Sequence, residues 1–223
     1  RVTRNGCRNL NGTKVSTATN CGSSTFSTAT ESASIVVTAV NDAPTGAPVV
    51  TGTATEDQIL GVNTAGIADA DGLGACSYQW QRDGSNIAGA TGNTYTLGDA
   101  DVGTSIRVVV SYTDGHGTAE SPTSAAVGPV ANVNDAPTGA VTIDDTTPTQ
   151  GQTLTASNTL ADADVLGAIT YTWRADGATV GTGSTYFVTE ADVGKVITAV
   201  ASYTDGHGTS EAVASAATAA LAN

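Results

Sequence analysis

Two short segments of this chain each place a pair of aspartates two positions apart, and these residues are its best candidates for chemistry. The pairs are Asp69–Asp71 and Asp162–Asp164, separated by 93 positions. Paired carboxylates can serve as acid and base in glycoside hydrolysis, and carboxylate oxygens also bind hard cations such as Ca²⁺. The pair repeats, and the sequence signals neither a substrate cleft nor a further acid. Hydrolysis is therefore the weaker interpretation.

A histidine with a glycine on each side also occurs twice. The segment Tyr-Thr-Asp-Gly-His-Gly-Thr spans Tyr112–Thr118 and Tyr203–Thr209, so His116 and His207 stand at matching positions. A catalytic histidine normally needs a partner found at one site alone, and a repeated one is better interpreted as a turn residue. β-patterned runs flank the Asp-Gly turn and predict a hairpin. Because the sequence also lacks a nucleophile elbow, a zinc motif and a phosphate-binding loop, we predict a protein that is not an enzyme.

These matches belong to a tandem repeat. Trp80 corresponds to Trp173 with an offset of 93, as does the six-residue segment that begins at Asn41 and again at Asn134. Later matches have an offset of 91, which indicates one deletion of two residues after Trp173. The sequence therefore predicts three parts: an N-terminal extension at residues 1–40, a first repeat at 41–132 and a second repeat at 133–223.

Each repeat has the pattern of an all-β immunoglobulin-like sandwich. Apolar residues alternate instead of recurring at helical spacing, and glycine, aspartate and asparagine separate short runs. Trp80 is the expected core anchor. In the first repeat we predict strands A, B, C, a weak C′, E, F and G at residues 48–53, 58–63, 76–82, 85–87, 94–97, 105–113 and 118–127.

Cysteines do not hold these sandwiches together. The disulfide that joins strands B and F in antibody domains is missing, and we expect Leu60 and the valines around Val109 to take its place. Cys76 corresponds to Ile169, so we expect a small buried hydrophobic residue there. Cys7 and Cys21 lie outside the repeats. They either close a disulfide loop, which contributes roughly 3 kcal/mol of stability, or remain unpaired thiols.

The charge of the chain is strongly acidic and uneven. It has 21 acidic and 8 basic residues, a net charge of −13. Residues 1–40 carry 4 basic and 1 acidic residue, net +3, which leaves 4 basic and 20 acidic residues, net −16, in residues 41–223. An acidic surface argues against nucleic acid and anionic membranes as partners, and no apolar run reaches the ~20 residues of a membrane helix. The chain opens on Arg1 without a signal-peptide pattern, so we expect a processed product or a fragment.

Several motifs of residues 32–223 together resemble one family. They are Val-Asn-Asp-Ala-Pro-Thr-Gly, Ala-Asp-Ala-Asp, Tyr-x-Trp, Ala-Asp-Val-Gly and Ser-Tyr-Thr-Asp-Gly-x-Gly-Thr. The combination resembles the tandem immunoglobulin/cadherin-like repeats of very large bacterial surface adhesins that leave the cell by type I secretion. The resemblance implies a calcium-stiffened extracellular rod, secreted or on the cell surface, built from many copies. It does not identify a receptor-binding tip.

The topology of an immunoglobulin-like sandwich gathers acidic residues at the junction of the two repeats. The start of strand A and the B–C and F–G loops share one end, here called the top, and the A–B and E–F loops and the end of strand G share the other, the base. Clustered carboxylates supply the six to eight oxygens that Ca²⁺ takes. The candidate ligands are Asp42, Asp69, Asp71 and Asp114 at the first top, Glu56, Asp57, Asp99 and Asp101 at the first base, Asn134 and Asp135 in the linker, and Asp162, Asp164 and Asp205 at the second top.

Cadherin junctions resemble this arrangement, although the longer cadherin linker motif is absent. The alternative is that these aspartates and asparagines only form turns, which both residue types do readily.

Two functions remain open. The chain is either a stalk segment of a secreted adhesin or the subunit of a self-assembling extracellular filament. The second arises because Ser32–Val40 has the pattern of a final strand and can complete the sheet of another copy by strand exchange, with the second repeat as the candidate acceptor. Other copies of the same repeat or chain are thus the expected partners. A lectin-like binding module is a third class, for which the sequence offers no site.

Overall fold

A computed structural model describes Thr38 and residues 40–223 of the chain. Cys7, Cys21 and most of the predicted strand Ser32–Val40 lie outside the described residues. Residues Asn41–Asn223 form one compact unit. The boundary between residues 132 and 133 therefore remains a prediction from the sequence, and the names first repeat and second repeat are kept for the two parts.

The first repeat is a sandwich of two antiparallel sheets. One sheet has the order β1-β2-β5 and the other the order β4-β3-β6-β7, which is the A-B-E and C′-C-F-G arrangement of immunoglobulin-like domains. A short 3₁₀ helix at Asp99–Asp101 joins β5 to β6. The strands are β1 (Val49–Thr51), β2 (Ile59–Asn63), β3 (Ser77–Arg82), β4 (Ser85–Asn86), β5 (Thr94–Thr96), β6 (Ile106–Thr113) and β7 (Ala119–Glu120).

The second repeat has the same topology. Its sheets have the orders β8-β9-β12 and β11-β10-β13-β14, and a 3₁₀ helix at Glu190–Asp192 joins β12 to β13. The predicted all-β fold with tandem immunoglobulin-like sandwiches is confirmed. The strands are β8 (Val141–Ile143), β9 (Thr153–Asn158), β10 (Thr170–Ala175), β11 (Ala178–Thr182), β12 (Thr185–Phe187), β13 (Ile197–Thr204) and β14 (Ser210–Ala214).

Strand G of the first repeat is shorter than predicted. Regular pairing stops at Glu120, and only isolated bridges at Thr123 and Val127 continue along β6. Pro122 has no N–H to donate to a ladder. Two residues later the side-chain hydroxyl of Ser124, not a backbone carbonyl, accepts the N–H of Val108 at 3.0 Å. The strand is therefore interrupted although the chain still follows β6.

The core of each sandwich is built around its tryptophan, as predicted. Trp80 and Trp173 are fully buried. Each indole N–H is satisfied by a backbone carbonyl, that of Gly92 at 3.0 Å and that of Gly183 at 2.9 Å. A buried indole N–H needs such a partner, so the tryptophan position is fixed by a bond as well as by packing.

Leu60 lies in the core beside Val108, which confirms that aliphatic side chains occupy the place of the disulfide. Side chains alternate between the two faces of β6, so Val108 and Val110 point into the core, whereas Val109 points to the other face and is only partly buried. Cys76 is half-buried rather than fully buried and packs against Val110 and Tyr112.

Among the residues that the structure describes, no helix has the length and apolar character needed to cross a lipid bilayer.

Candidate metal centre at the junction of the repeats

Glu56, in the turn between β1 and β2, is a glutamate buried completely, with 0% of its surface exposed. Thr55 forms a parallel bridge with Ala131, and the N–H of Glu56 donates to the carbonyl of Ala131 at 2.9 Å. These bonds hold the turn against the end of the first repeat. Glutamates are almost never fully buried unless they are paired. The position of Glu56 therefore indicates a partner at this end of the sandwich.

Three carboxylates meet around Glu56. One oxygen each of Glu56, Asp99 and Asp135 lies within 4.8 Å of the others. Glu56 comes from the β1–β2 turn, Asp99 from the start of the 3₁₀ helix and Asp135 from the linker to the second repeat. Burial, followed by the nearby Asp99 carboxylate, raises the pKa of Glu56 above its usual range. Burial and the charges of Asp99, Asp164 and Asp57 raise the pKa of Asp135. The group thus holds negative charges that repel one another.

The second repeat contributes a fourth carboxylate. Asp164 is only 1% exposed, and its Oδ2 accepts the N–H of Asp135 at 2.7 Å. The negative charge of Asp164 raises the pKa of both Glu56 and Asp135, so Asp164 belongs to the same group of interacting acids. The junction therefore combines acids from both sandwiches and from the linker between them.

Several oxygens near the junction are buried without a partner. Glu56 uses Oε2 to accept the N–H of Val133 at 3.1 Å, but its Oε1 has no partner. The Oδ1 atoms of Asp164 and Asn132 are also buried and unpartnered. Buried polar atoms are normally satisfied, and exceptions call for an explanation such as an ion. All of these atoms are oxygens, which suits Ca²⁺, whereas structural Zn²⁺ sites are built from cysteine sulfur and histidine nitrogen.

Asn132 was not among the residues predicted from the sequence. A signal was present, because Ala131-Asn132 returns as Ala222-Asn223 in the second repeat, at the 91-residue offset. The structure shows the same correspondence, because Thr149 forms a parallel β-bridge with Ala222 just as Thr55 does with Ala131.

Asp162 and Asp205 complete the top of the second repeat. Asp162 accepts the N–H of Asp164 at 2.9 Å and the hydroxyl of Tyr203. The Oδ1 of Asp205 accepts the backbone N–H groups of His207 and Thr209, both at 2.8 Å, while its Oδ2 is buried without a partner. Burial raises the pKa of Asp205, but these backbone bonds outweigh it and hold the pKa below its usual range. Asp205 is therefore a charged carboxylate with one oxygen free.

The top of the first repeat has the same arrangement of acidic residues, formed by Asp69, Asp71 and Asp114. The hydroxyl of Tyr112 donates to Asp69 at 2.6 Å, and the N–H of Asp42 donates to Asp71 at 2.7 Å. Asp42, Asp69, Asp71 and Asp114 lie at one end of the sandwich, as the topology predicts. They are not part of the group formed by Glu56, Asp99 and Asp135.

Three other candidates have different roles in this structure. Asp101 is paired with a cation of the chain itself, because its Oδ1 is bound by the Arg82 guanidinium at 2.7 Å, while its Oδ2 accepts the Tyr95 hydroxyl at 2.8 Å. Asp57 is exposed with a φ of 61° and contributes its charge from the rim. The side-chain amide of Asn134 donates to Glu211 at 2.9 Å, which holds the linker against the second repeat.

No protein-family model matches the chain, and no curated protein matches it. Similar solved structures include the three N-terminal domains of the bacteriophage RB49 outer capsid protein Hoc, at 16% identity and a TM-score of 0.28. Others are the ectodomain of mouse nectin-like molecule 4, at 14% and 0.32, and a calcium-stabilised adhesin with which an Antarctic bacterium binds ice, at 17% and 0.32. The matches cover 79%, 82% and 82% of this chain.

The chain spans 59%, 65% and 50% of the lengths of those three structures, in the same order.

Proposed function

We propose that this chain is a non-enzymatic extracellular repeat protein, a stalk segment of a bacterial surface adhesin in which Ca²⁺ stiffens the junction between two sandwiches. The observation that carries the proposal is the group of Glu56, Asp99 and Asp135, with unpartnered buried oxygens beside it. A function of this kind needs a defined angle between successive domains, and the junction is the place where that angle is set.

The ligand set explains how an ion would stiffen the chain. Glu56 and Asp99 belong to the first repeat, Asp135 to the linker and Asp164 to the second repeat. Without a cation their charges repel one another and favour separation of the two sandwiches. A cation bound by all of them supplies attraction across the same space and ties the two repeats to one point. Calcium suits this role because it accepts six to eight oxygens in flexible geometry.

The surface and the repeat pattern support a stalk. Residues 41–223 have a net charge of −16, from 4 basic and 20 acidic residues, which keeps copies apart in solution. The motif combination resembles the repeats of large bacterial adhesins, in which many copies separate a tip from the cell. An extracellular location belongs to the same proposal.

Calcium dependence is the direct test. Thermal unfolding of the chain is measured with calcium and with excess chelator. A ligand that binds only the folded state adds about 2.7 kcal/mol at a hundredfold excess over its dissociation constant. We expect Glu56→Gln to remove most of the calcium effect on the melting temperature, because it removes one buried charged ligand.

The matched control is Glu190→Gln. Glu190 occupies in the second repeat the position of Asp99 and is exposed. It has no glutamate beside it, since Gln150, whose N–H donates to Ala222 as that of Glu56 donates to Ala131, stands at the place of Glu56. This variant should keep the full calcium effect. If chelator changes neither the melting temperature nor the flexibility between the repeats, the junction acids only form turns and the proposed function is wrong.

A further inference from the structure

The linker aspartate of the junction follows an asparagine whose side chain is attached to the second repeat. The side-chain amide of Asn134 donates to Oε1 of Glu211, in β14, at 2.9 Å. The backbone N–H of the next residue, Asp135, donates to Oδ2 of Asp164 at 2.7 Å. Two adjacent linker residues are therefore bound to the top of the second repeat, one to its last strand and the other to the loop between β9 and β10.

The same two bonds occur at the top of the first repeat. The side-chain amide of Asn41 donates to Oε1 of Glu120 at 2.9 Å, and the N–H of Asp42 donates to Oδ2 of Asp71 at 2.7 Å. The three carboxylates of the junction are not part of this arrangement, so the bonds form without them. The attachment of the asparagine and the aspartate is thus a property of each repeat itself.

The residue before Asn134 is attached to the other sandwich. The N–H of Val133 donates to Oε2 of Glu56 at 3.1 Å, so the chain changes from the first repeat to the second between Val133 and Asn134. One residue further on, a carboxylate oxygen of Asp135 lies within 4.8 Å of those of Glu56 and Asp99. The side chain of Asn134 therefore stands where it determines how far Asp135 lies from Glu56.

We infer that Glu211 is a positioning residue of the junction, which fixes the place of the Asp135 carboxylate through its bond to Asn134. The inference rests on the proposed function, because it concerns the affinity of the same junction for calcium. Glu211 is not one of the three carboxylates whose oxygens meet there, so it acts through the linker and not as a ligand.

The bond gives Asn134 a different role from the one that the sequence predicts. Its amide holds the linker, and the calcium ligand beside it is Asp135. A hydrogen bond to a charged acceptor is stronger than one between neutral groups. A linker that is already held in its binding position loses less conformational freedom when an ion binds, so the bond favours binding.

The test measures calcium binding to the full chain by titration calorimetry. Glu211→Ala removes the acceptor and should weaken binding about twofold to tenfold, the range that corresponds to the net contribution of one hydrogen bond. Glu211→Gln keeps an acceptor oxygen without the charge and should retain most of the affinity. The matched control is Glu120→Ala, which breaks the equivalent bond at the first top and should leave the affinity unchanged. Glu211 is half-buried on an edge strand, so its substitution does not open the core.

A second comparison shows whether the two residues act through one bond. Asn134→Ala alone and Asn134→Ala with Glu211→Ala should bind calcium as weakly as Glu211→Ala alone, because each removes the same bond. The melting temperature gives an independent readout. Glu211→Ala should reduce the increase that calcium produces, whereas a purely structural role would lower the melting temperature equally in calcium and in chelator.

The outcomes separate this inference from the proposed function. If the unsubstituted chain binds calcium and Glu211→Ala binds it as tightly, the positioning role is wrong and the junction site stands. If Glu211→Gln weakens binding as much as Glu211→Ala, the charge acts and not the bond, which also contradicts the inference. If Asn134→Ala weakens binding more than Glu211→Ala, the asparagine is itself a ligand and its assigned role is wrong. If the unsubstituted chain does not bind calcium, the inference and the proposed function both fail.

Discussion

Val165 occupies in the second repeat the position that Gly72 occupies in the first, and both have a positive φ, 73° and 94°. A β-branched residue is a real outlier in this region, because its Cβ crowds the following carbonyl. Val165 directly follows Asp164, and both of their carbonyls accept the N–H of Gly206. The strained residue therefore lies beside a proposed calcium ligand.

Replacement of Val165 by glycine should stabilise the second repeat. The left-handed conformation costs a branched residue about 1–2 kcal/mol, and glycine loses about 0.5–1 kcal/mol of backbone entropy instead. Little burial is lost, since Val165 is 64% exposed. We expect a net gain of up to about 1 kcal/mol in chemical denaturation. The mirror variant, Gly72→Val, should destabilise the first repeat, and a loss of stability in Val165→Gly would contradict the strain.

The tryptophan cores give the largest expected effect on stability. Trp80→Ala should cost ~3–5 kcal/mol in denaturant unfolding, because it leaves a cavity in a fully buried core. Trp80→Phe separates packing from bonding, since it keeps an aromatic ring but leaves the carbonyl of Gly92 without its indole donor. We expect an intermediate loss for this variant. A negligible loss in Trp80→Ala would show that the core is assigned wrongly.

The sequence predicts the architecture because the information for it repeats. A constant offset aligns the motifs, and alternation of apolar residues marks strands whose order follows from the immunoglobulin-like topology. The same topology predicts that Glu56, Asp99 and Asp135 meet at one junction. Turns are predicted from residue types that are adjacent in the sequence, and the order of the strands is predicted from a pattern that occurs in both repeats.

Individual bonds at the site do not follow from the sequence. Asp101 is neutralised by Arg82, a partner 19 residues away, and the second repeat has Ala175 at the arginine position. His116 and His207 stand in identical seven-residue segments, yet in the described part of the chain only the ring of His116 contacts an aspartate side chain. Such differences depend on how neighbouring loops pack, which residue types and spacing do not encode.

Acid should weaken the second repeat through Asp192. Burial raises the pKa of this carboxyl, but bonds from the backbone N–H and hydroxyl of Thr189 and the hydroxyl of Tyr186 outweigh it, so the pKa lies below its ordinary value of 3.8. A carboxyl with a lowered folded pKa stabilises the fold above its unfolded pKa and loses that contribution as the pH falls through the folded value. Stability should therefore decline below about pH 4.

Asp192→Asn tests this directly. The variant should be less stable at pH 7 and should show a shallower decline in stability between pH 5 and pH 2 than the unsubstituted chain. Exposed Asp176→Asn is the comparison for a general effect of charge. Equal acid slopes for Asp192→Asn and the unsubstituted chain would rule out Asp192 as the titrating group.

The last prediction concerns assembly through the strand that the sequence predicts at Ser32–Val40. This segment contains the apolar run Ile35-Val36-Val37, and a strand of that composition with an unpaired edge can add to the sheet of another chain. Strand β14 (Ser210–Ala214) lies at the edge of its sheet and contains no fully buried residue, which fits an acceptor whose own last strand packs weakly. We therefore expect deletion of residues 1–40 to abolish any polymer that the full chain forms, while deletion of residues 1–31 alone leaves it intact. Particle shape by electron microscopy and mass by light scattering provide the measurements. A strict monomer at high concentration, or an unchanged polymer after removal of residues 1–40, would exclude strand exchange and leave the stalk as the function to be tested.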